Sequence, residues 1–463
     1  MRAIRVIITS LALPSLLLYV LALNSCSGGS GTASSGGNGS TSTPTITGSA
    51  RIQHLVIIFQ ENRTPDNLFH GLPNADIANS GVNSSGQTVA LQPTSLVGSY
   101  DLGHKHSDFV YMYHNGKMDG ADQVSCEPVS GSVCPPNPQF LYVNPSEVAP
   151  YFQLAQQYTF GDRMFQTQQG PSFPAHQFII SGTSAPTSSN LFAAENPHGG
   201  AGCASSSDSW VWMIDAGGNE SSQMYPCFEH QTLTDRLDNA GISWKYYTPS
   251  AGSIWTGPNA IQHICGAVGA FCAGLGWTQN VVLQNTRILT DISNGQLPAV
   301  SWVIPSGQAS DHPVFTDGSG PSWVASIVNA IGNSAYWSNT AIIITWDDWG
   351  GWYDHVPPPS IVNDGTGWGS GYVYGFRVPL IVVSPYAKSA YVSHVTHDFG
   401  SILKFVEKTF GLGSLGYADS RADDLSDCFD FHQAPLTFHT IAAPLPGSHF
   451  LNDKSVPSDP DDD

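Results

Sequence analysis

Four short apolar runs that stop abruptly at polar residues set the strongest limit on what this chain can become. They span 54–59, 299–304, 341–345 and 378–383, and all are rich in β-branched side chains. Runs of this length without polar alternation fit strands buried on both faces of a mainly parallel sheet. Patterns with helical spacing cover 232–240, 322–331 and 398–410. Strand–helix alternation predicts an α/β fold, with a mainly parallel central sheet and helices on both faces. Hydrophobic residues at 41% of 463 supply a sizeable core for one folded unit over 51–450. Lys and Arg number 16 against 36 Asp and Glu, a formal net charge of −20, which argues against nucleic acid as a partner.

The two ends read as something other than fold. Arg2 and Arg5 precede a mostly apolar stretch over 6–23, closed by Leu23-Asn24-Ser25-Cys26. A basic start, an apolar middle and small residues at the end are the marks of an export signal, here 1–26. Its last four residues resemble a bacterial lipobox, in which Cys26 is lipidated and tethers the protein to a membrane. Cleaved secretion and a membrane anchor are the alternatives. Residues 27–50 are almost only Ser, Gly, Thr, Asn and Pro and form a flexible linker. Residues 451–463 form an acidic tail. Cysteine usage agrees with export: proximity in sequence suggests bridges 126–134, 203–227 and 265–272, leaving Cys428 unpaired.

Chemistry is expected where strands stop, because ligands of open parallel sheets bind beyond the carboxyl ends of the strands. The first run delivers Gln60-Glu61-Asn62-Arg63, and the third delivers Trp346-Asp347-Asp348. Glu61, Asn62, Asp347 and Asp348 together offer hard oxygen ligands for Ca²⁺, Mg²⁺ or Mn²⁺. The adjacent carboxylates of Asp347 and Asp348 repel one another, and a cation would relieve this. Ser172 stands between two prolines in Gly170-Pro171-Ser172-Phe173-Pro174, a stiff loop that suits either a nucleophile or a turn. Among the histidines, His312 and His106 are the candidates to touch a transferring phosphoryl group or protonate a leaving group. Asp311, beside His312, and His355, after a Gly-Gly turn, join the candidate set, while His104, His394 and His397 stay open.

Six segments in order resemble the bacterial phosphoesterase family of non-specific phospholipases C and acid phosphatases. They are the stretch opening at Ile52 and ending Gln60-Glu61-Asn62-Arg63, then Gly116-Lys117-Met118-Asp119-Gly120, the Ser172 loop and Asp311-His312-Pro313. After these come the stretch from Trp346-Asp347-Asp348-Trp349-Gly350-Gly351 to Pro358, and Phe376-Arg377-Val378-Pro379. The resemblance implies an alkaline-phosphatase-like fold. It also implies metal ligation by Glu61, Asn62, Asp347 and Asp348, and attack on phosphorus by Ser172 through a phosphoserine. His106 and His312 would contact the phosphoryl oxygens or the leaving group. Two departures from the family pattern stand out: Asp347-Asp348 where many relatives have Asp-Glu, and Ala175-His176 where many have Asn-Arg.

The expected function is therefore an exported, metal-dependent phosphoesterase of the cell envelope, periplasm or exterior. The expectation leans to a broad acid-phosphatase-like activity, with a phospholipase C acting on phospholipid as the alternative. A reading from another class is a non-catalytic surface binding protein with a structural Ca²⁺.

Overall fold

The computed structural model describes residues 51–187, 191–197, 200–215, 217–359 and 373–456. These all belong to one compact unit, Ile46–Asp463. The expected export signal with Cys26, the whole linker over 27–50 and the end of the acidic tail lie outside the described residues.

Eight strands make the central sheet. In chain order they are β1 (His54–Gln60), β2 (Thr159–Gly161), β3 (Trp244–Tyr247), β4 (Val281–Val282), β5 (Val300–Val303), β6 (Thr340–Trp346), β7 (Leu380–Val383) and β8 (Tyr391–Ser393). Their spatial order is β4-β3-β5-β1-β6-β7-β2-β8. Every neighbouring pair is parallel except the two made by β7, which runs against both β6 and β2. The four apolar runs of the sequence are β1, β5, β6 and β7, and they occupy the buried middle. The last run begins later than its pattern suggests. Pro379 has no N–H to give to a ladder, so pairing starts at Leu380.

Helices cover both faces, and side-chain alternation shows which covers which. Phe59 meets Phe399 of the helix Phe399–Phe410 and His176 of the helix Ser172–Ser181, at 6.0 and 6.2 Å between ring centres. Gln60, the next residue, is level with Trp346 across the β1–β6 ladder. Trp346 packs edge-on against Tyr151 of the helix Ala149–Gln157, at 5.1 Å. The longer helix Gly320–Gly332 lies on that second face, against Ala149–Gln157. The predicted helices end within two residues of their expected bounds. Thr232 and Asp398 are the N-caps of the first and last of them, each in a capping box.

Three disulfides, Cys126–Cys134, Cys203–Cys227 and Cys265–Cys272, join the pairs suggested by spacing, and Cys428 is a buried free thiol. No described helix is long and apolar enough to cross a membrane.

One segment differs from its expected form. The stiff loop around Ser172 is the start of a helix, hereafter α1 (Ser172–Ser181), with Pro171 as its N-cap. A proline is tolerated in the first turn because the N–H it lacks has no helical partner there, so Pro171 and Pro174 start this helix rather than prevent it. Every residue of α1 is buried.

Burial also fixes a pH dependence of stability. Burial first, then neighbouring Glu220, pushes the Glu195 carboxyl up to about 8. Burial and Asp419 push Glu407 up to about 7. Each keeps its proton in the folded chain while the unfolded carboxyl ionises near ~4.3. Their contribution is therefore complete below that value and lost as pH rises through the folded values. His176 and His230, lowered to about 4 by burial, act with the opposite sign, but their effect is complete by ~6.5. The melting temperature should fall between roughly pH 6.5 and 8.5, and Glu195→Gln should flatten the curve in calorimetry. A melting temperature that rises over this window would contradict the assignment.

Candidate active site

β1, β5 and β6 are parallel, so their carboxyl ends share one edge of the sheet. Glu61 and Asp347 are the residues directly after β1 and β6, and the register places them side by side. Backbone bonds hold the two tips together: the Asp347 N–H donates to the Gln60 carbonyl at 3.0 Å, and the Arg63 N–H donates to the Asp348 carbonyl at 3.0 Å. Asn62 takes the left-handed backbone region at φ 58°, which a short amide side chain tolerates. Gly350 lies directly over it. A Cβ there would fall 2.5 Å from the Asn62 carbonyl oxygen, so only glycine fits that turn.

The N-terminus of α1 points Ser172 at these acids. Its hydroxyl donates to Asp348 Oδ2 at 3.0 Å, with Glu61 Oε2 at 3.5 Å. His176 is four residues on, hence on the same helix face. Its Nε2 lies 3.3 Å from Glu61 Oε1 and 3.6 Å from Asp347 Oδ2. Burial lowers the His176 imidazole to about 4, so it is neutral at ordinary pH and able to ligate a metal. Burial and the charge of Asp347 raise the Asp348 carboxyl well above the usual range.

Asn62 and two histidines form the opposite wall. His104 Nδ1 is 2.7 Å from the Leu102 carbonyl, which can only accept, so Nδ1 carries a proton, and Nε2 is an acceptor when the ring is neutral. The Asn62 amide nitrogen donates to that Nε2 at 3.1 Å and stands 3.3 Å from His312 Nε2. The amide oxygen then falls 3.2 Å from Asp347 Oδ1 and 3.3 Å from Glu61 Oε2. Turning the amide over would satisfy those carboxylates but place its oxygen against the His104 acceptor. With His104 neutral the amide oxygen faces the carboxylates, a gathering of acceptors that a cation resolves. Asp347 Oδ2, fully buried, has no hydrogen-bond donor. Glu61, His176 and Asp347 each offer a ligand atom within 4.8 Å of the others. This donor set fits a divalent cation, and it contains one nitrogen beside the expected oxygens.

The structure brings together Ser172, Glu61, Asn62, Asp347, Asp348 and His312, and gives the remaining candidates other partners. Asp311 turns away from Ser172: its Oδ2 accepts from Tyr151 Oη at 2.9 Å and Trp346 Nε1 at 3.0 Å. Burial pushes its carboxyl up to about 6. It anchors the loop that carries His312 rather than facing the nucleophile. His106 begins the helix His106–Tyr113 and pairs with Glu220 at 3.4 Å. His355 is removed to a separate charged cluster, with Nδ1 2.7 Å from Asp66 and Nε2 3.0 Å from Asp76. Asp66, Asp354 and His355 have metal-ligand spacing, but the cluster already contains a cation. Arg377 Nε reaches both Asp354 oxygens at 3.0 Å and Nη2 reaches Asp66 at 3.3 Å. Arg377→Met should therefore destabilise the protein by ~3–5 kcal/mol, since it leaves buried carboxylates uncompensated. Denaturant unfolding measures this, and a loss below ~1 kcal/mol would deny the cluster its structural role.

His104 and His176 are the site residues that sequence reasoning did not single out. His176 was already visible as a departure from the family pattern. Its place four residues after Ser172 was the available signal, once that segment is read as helical.

A model of the Phosphoesterase family matches residues 52–413. Phospholipase C B of Mycobacterium tuberculosis is 27% identical over 440 residues, covering 83% of this chain and 78% of the relative. Hemolytic phospholipase C of Pseudomonas aeruginosa is 24% identical over 439 residues, covering 83% of this chain but 56% of the relative. Among solved structures, a protein in the alkaline phosphatase superfamily from Vibrio parahaemolyticus aligns at 13% identity with a TM-score of 0.36. That alignment covers 81% of this chain and 72% of the other.

Proposed function

This chain belongs to the phosphoesterase family and is a phosphoric ester hydrolase, and from that premise we propose that it is an exported phospholipase C-type enzyme with Ser172 as nucleophile. The observation that carries the site assignment is the Ser172 hydroxyl at a helix N-terminus, 3.0 Å from Asp348 and facing the buried Glu61–Asp347 pair. Three disulfides support export. The names of the relatives support phospholipid diesters as substrates over the broad phosphatase activity expected from sequence.

Each residue then has a task. Asp348 Oδ2 takes the hydroxyl proton as Ser172 Oγ attacks phosphorus. The first turn of α1 directs N–H groups and the positive end of its dipole at the same point, which favours anionic oxygen there. Glu61, Asn62, Asp347, Asp348 and His176 would hold a divalent cation, which supplies positive charge to the phosphate and the nucleophile when bound. His312, stacked with Trp255 at 6.0 Å between ring centres, delivers a proton to the departing alcohol. Water then cleaves the phosphoserine.

The deciding assay compares p-nitrophenylphosphorylcholine with p-nitrophenyl phosphate. Faster turnover of the diester supports the phospholipase C reading. Faster turnover of the monoester returns the proposal to a phosphatase.

A further inference from the structure

A hairpin on the outer part of the molecule carries large apolar side chains into solvent. Strands Ala267–Val268 and Phe271–Cys272 pair antiparallel, and the Cys265–Cys272 disulfide closes their base. Val268 is 68% exposed, Phe271 76% and Leu275, just beyond the hairpin, 76%. Leu283 nearby is also exposed. From Ile264 to Thr286 the chain has no Asp, Glu, Lys, Arg or His at all. Apolar residues scattered singly on a surface need no explanation, but a cluster within an uncharged run does.

Three features say what covers this cluster. Backbone hydrogen bonds close the base of the hairpin. Gly266 N–H donates to Gln262, and the N–H groups of Ala273 and Gly274 both donate to the Cys265 carbonyl. Such a segment enters an apolar phase without leaving donors bare at its base. Its lack of charge, in a protein of net charge −20, suits a zwitterionic surface and not an anionic one. Its position ties it to the site. The hairpin follows β3, whose carboxyl end lies at the same sheet edge as those of β5 and β1. Between them, Trp255 stacks with His312, and Gly257 lies so close to His176 that a Cβ would fall 2.5 Å from its carbonyl oxygen.

We propose that the hairpin Ala267–Cys272, with Leu275, is the segment by which this enzyme docks on a zwitterionic phospholipid surface. It inserts Val268, Phe271 and Leu275 below the headgroups and turns the active-site edge toward the lipid. The disulfide shapes the hairpin before it meets the membrane, which spares ordering cost on binding. The proposal deepens the phospholipase C reading and rests on it for the choice of a lipid partner.

The test uses the exported chain carrying Cys26→Ser, so that no acyl chain at that position binds vesicles, and Ser172→Ala, so that vesicles stay intact. Phe271→Ser with Leu275→Ser should lower partitioning onto phosphatidylcholine vesicles at least tenfold in co-sedimentation. Both positions are exposed, so the melting temperature should hold. With Ser172 restored, the double variant should hydrolyse soluble p-nitrophenylphosphorylcholine at an unchanged rate while losing activity on vesicles. Equal partitioning with and without the substitutions overturns the proposal, whatever the enzyme hydrolyses. So does a parent dimer in solution that the substitutions dissolve while vesicles bind neither form. Hairpin-dependent binding by an enzyme that cleaves no phospholipid would leave the docking surface standing and remove the phospholipase C reading.

Discussion

Replacing Ser172 by Ala is expected to lower turnover by ~10³-fold or more with little change in stability. The hydroxyl stands at the N-terminus of α1, and its hydrogen bonds go to two acids rather than to the core. Alanine is a good helix former, so α1 should start as before. Steady-state rates on p-nitrophenylphosphorylcholine measure the loss, and circular dichroism melting controls for folding. An acid quench of the native enzyme during turnover of that substrate should trap phosphorylcholine on Ser172, visible by mass spectrometry of the peptide. Near-native rates in the variant would remove Ser172 from its role.

Stripping the divalent cation should cost ~10²-fold or more, since such ions supply several kcal/mol to phosphoryl transfer and each ~1.4 is tenfold in rate. The buried Asp347 oxygen without a donor and the Asn62 amide oxygen beside two carboxylates form the unsatisfied set that the ion would fill. The imidazole of His176 in that set predicts that Mn²⁺ restores activity better than Ca²⁺, which prefers oxygen alone. His176→Ala should narrow this preference and weaken metal affinity, readable by titration of the chelated protein. Full activity after exhaustive chelation would sink the metal assignment.

Much of this was legible in the sequence for a physical reason. β1, β5, β6 and β7 are buried on both faces, so their composition is uniform enough to read without a partner. The acids at the ends of β1 and β6 were legible because parallel strands present their carboxyl ends together. The other four strands are two to four residues long and owe their conformation to neighbours, so no local pattern marks them. His355 was misplaced because adjacency to a motif says nothing of direction: the chain turns at Gly350 and Gly351 and carries it off to Asp66. The helix at Ser172 was hidden by its prolines, which mark a start as readily as a stop.

The pairing of β1 with β6 joins residues some 285 positions apart, as in the bond from Asn62 to Asp347. Contacts so distant along the chain form late and slowly. A slip of one residue between these strands would turn Glu61 or Asp347 to the opposite face of the sheet. A half-folded copy therefore lacks the Glu61–Asp347 pair on which the proposed site rests. A phosphoric ester hydrolase built this way gains its activity only when that long-range pairing has closed.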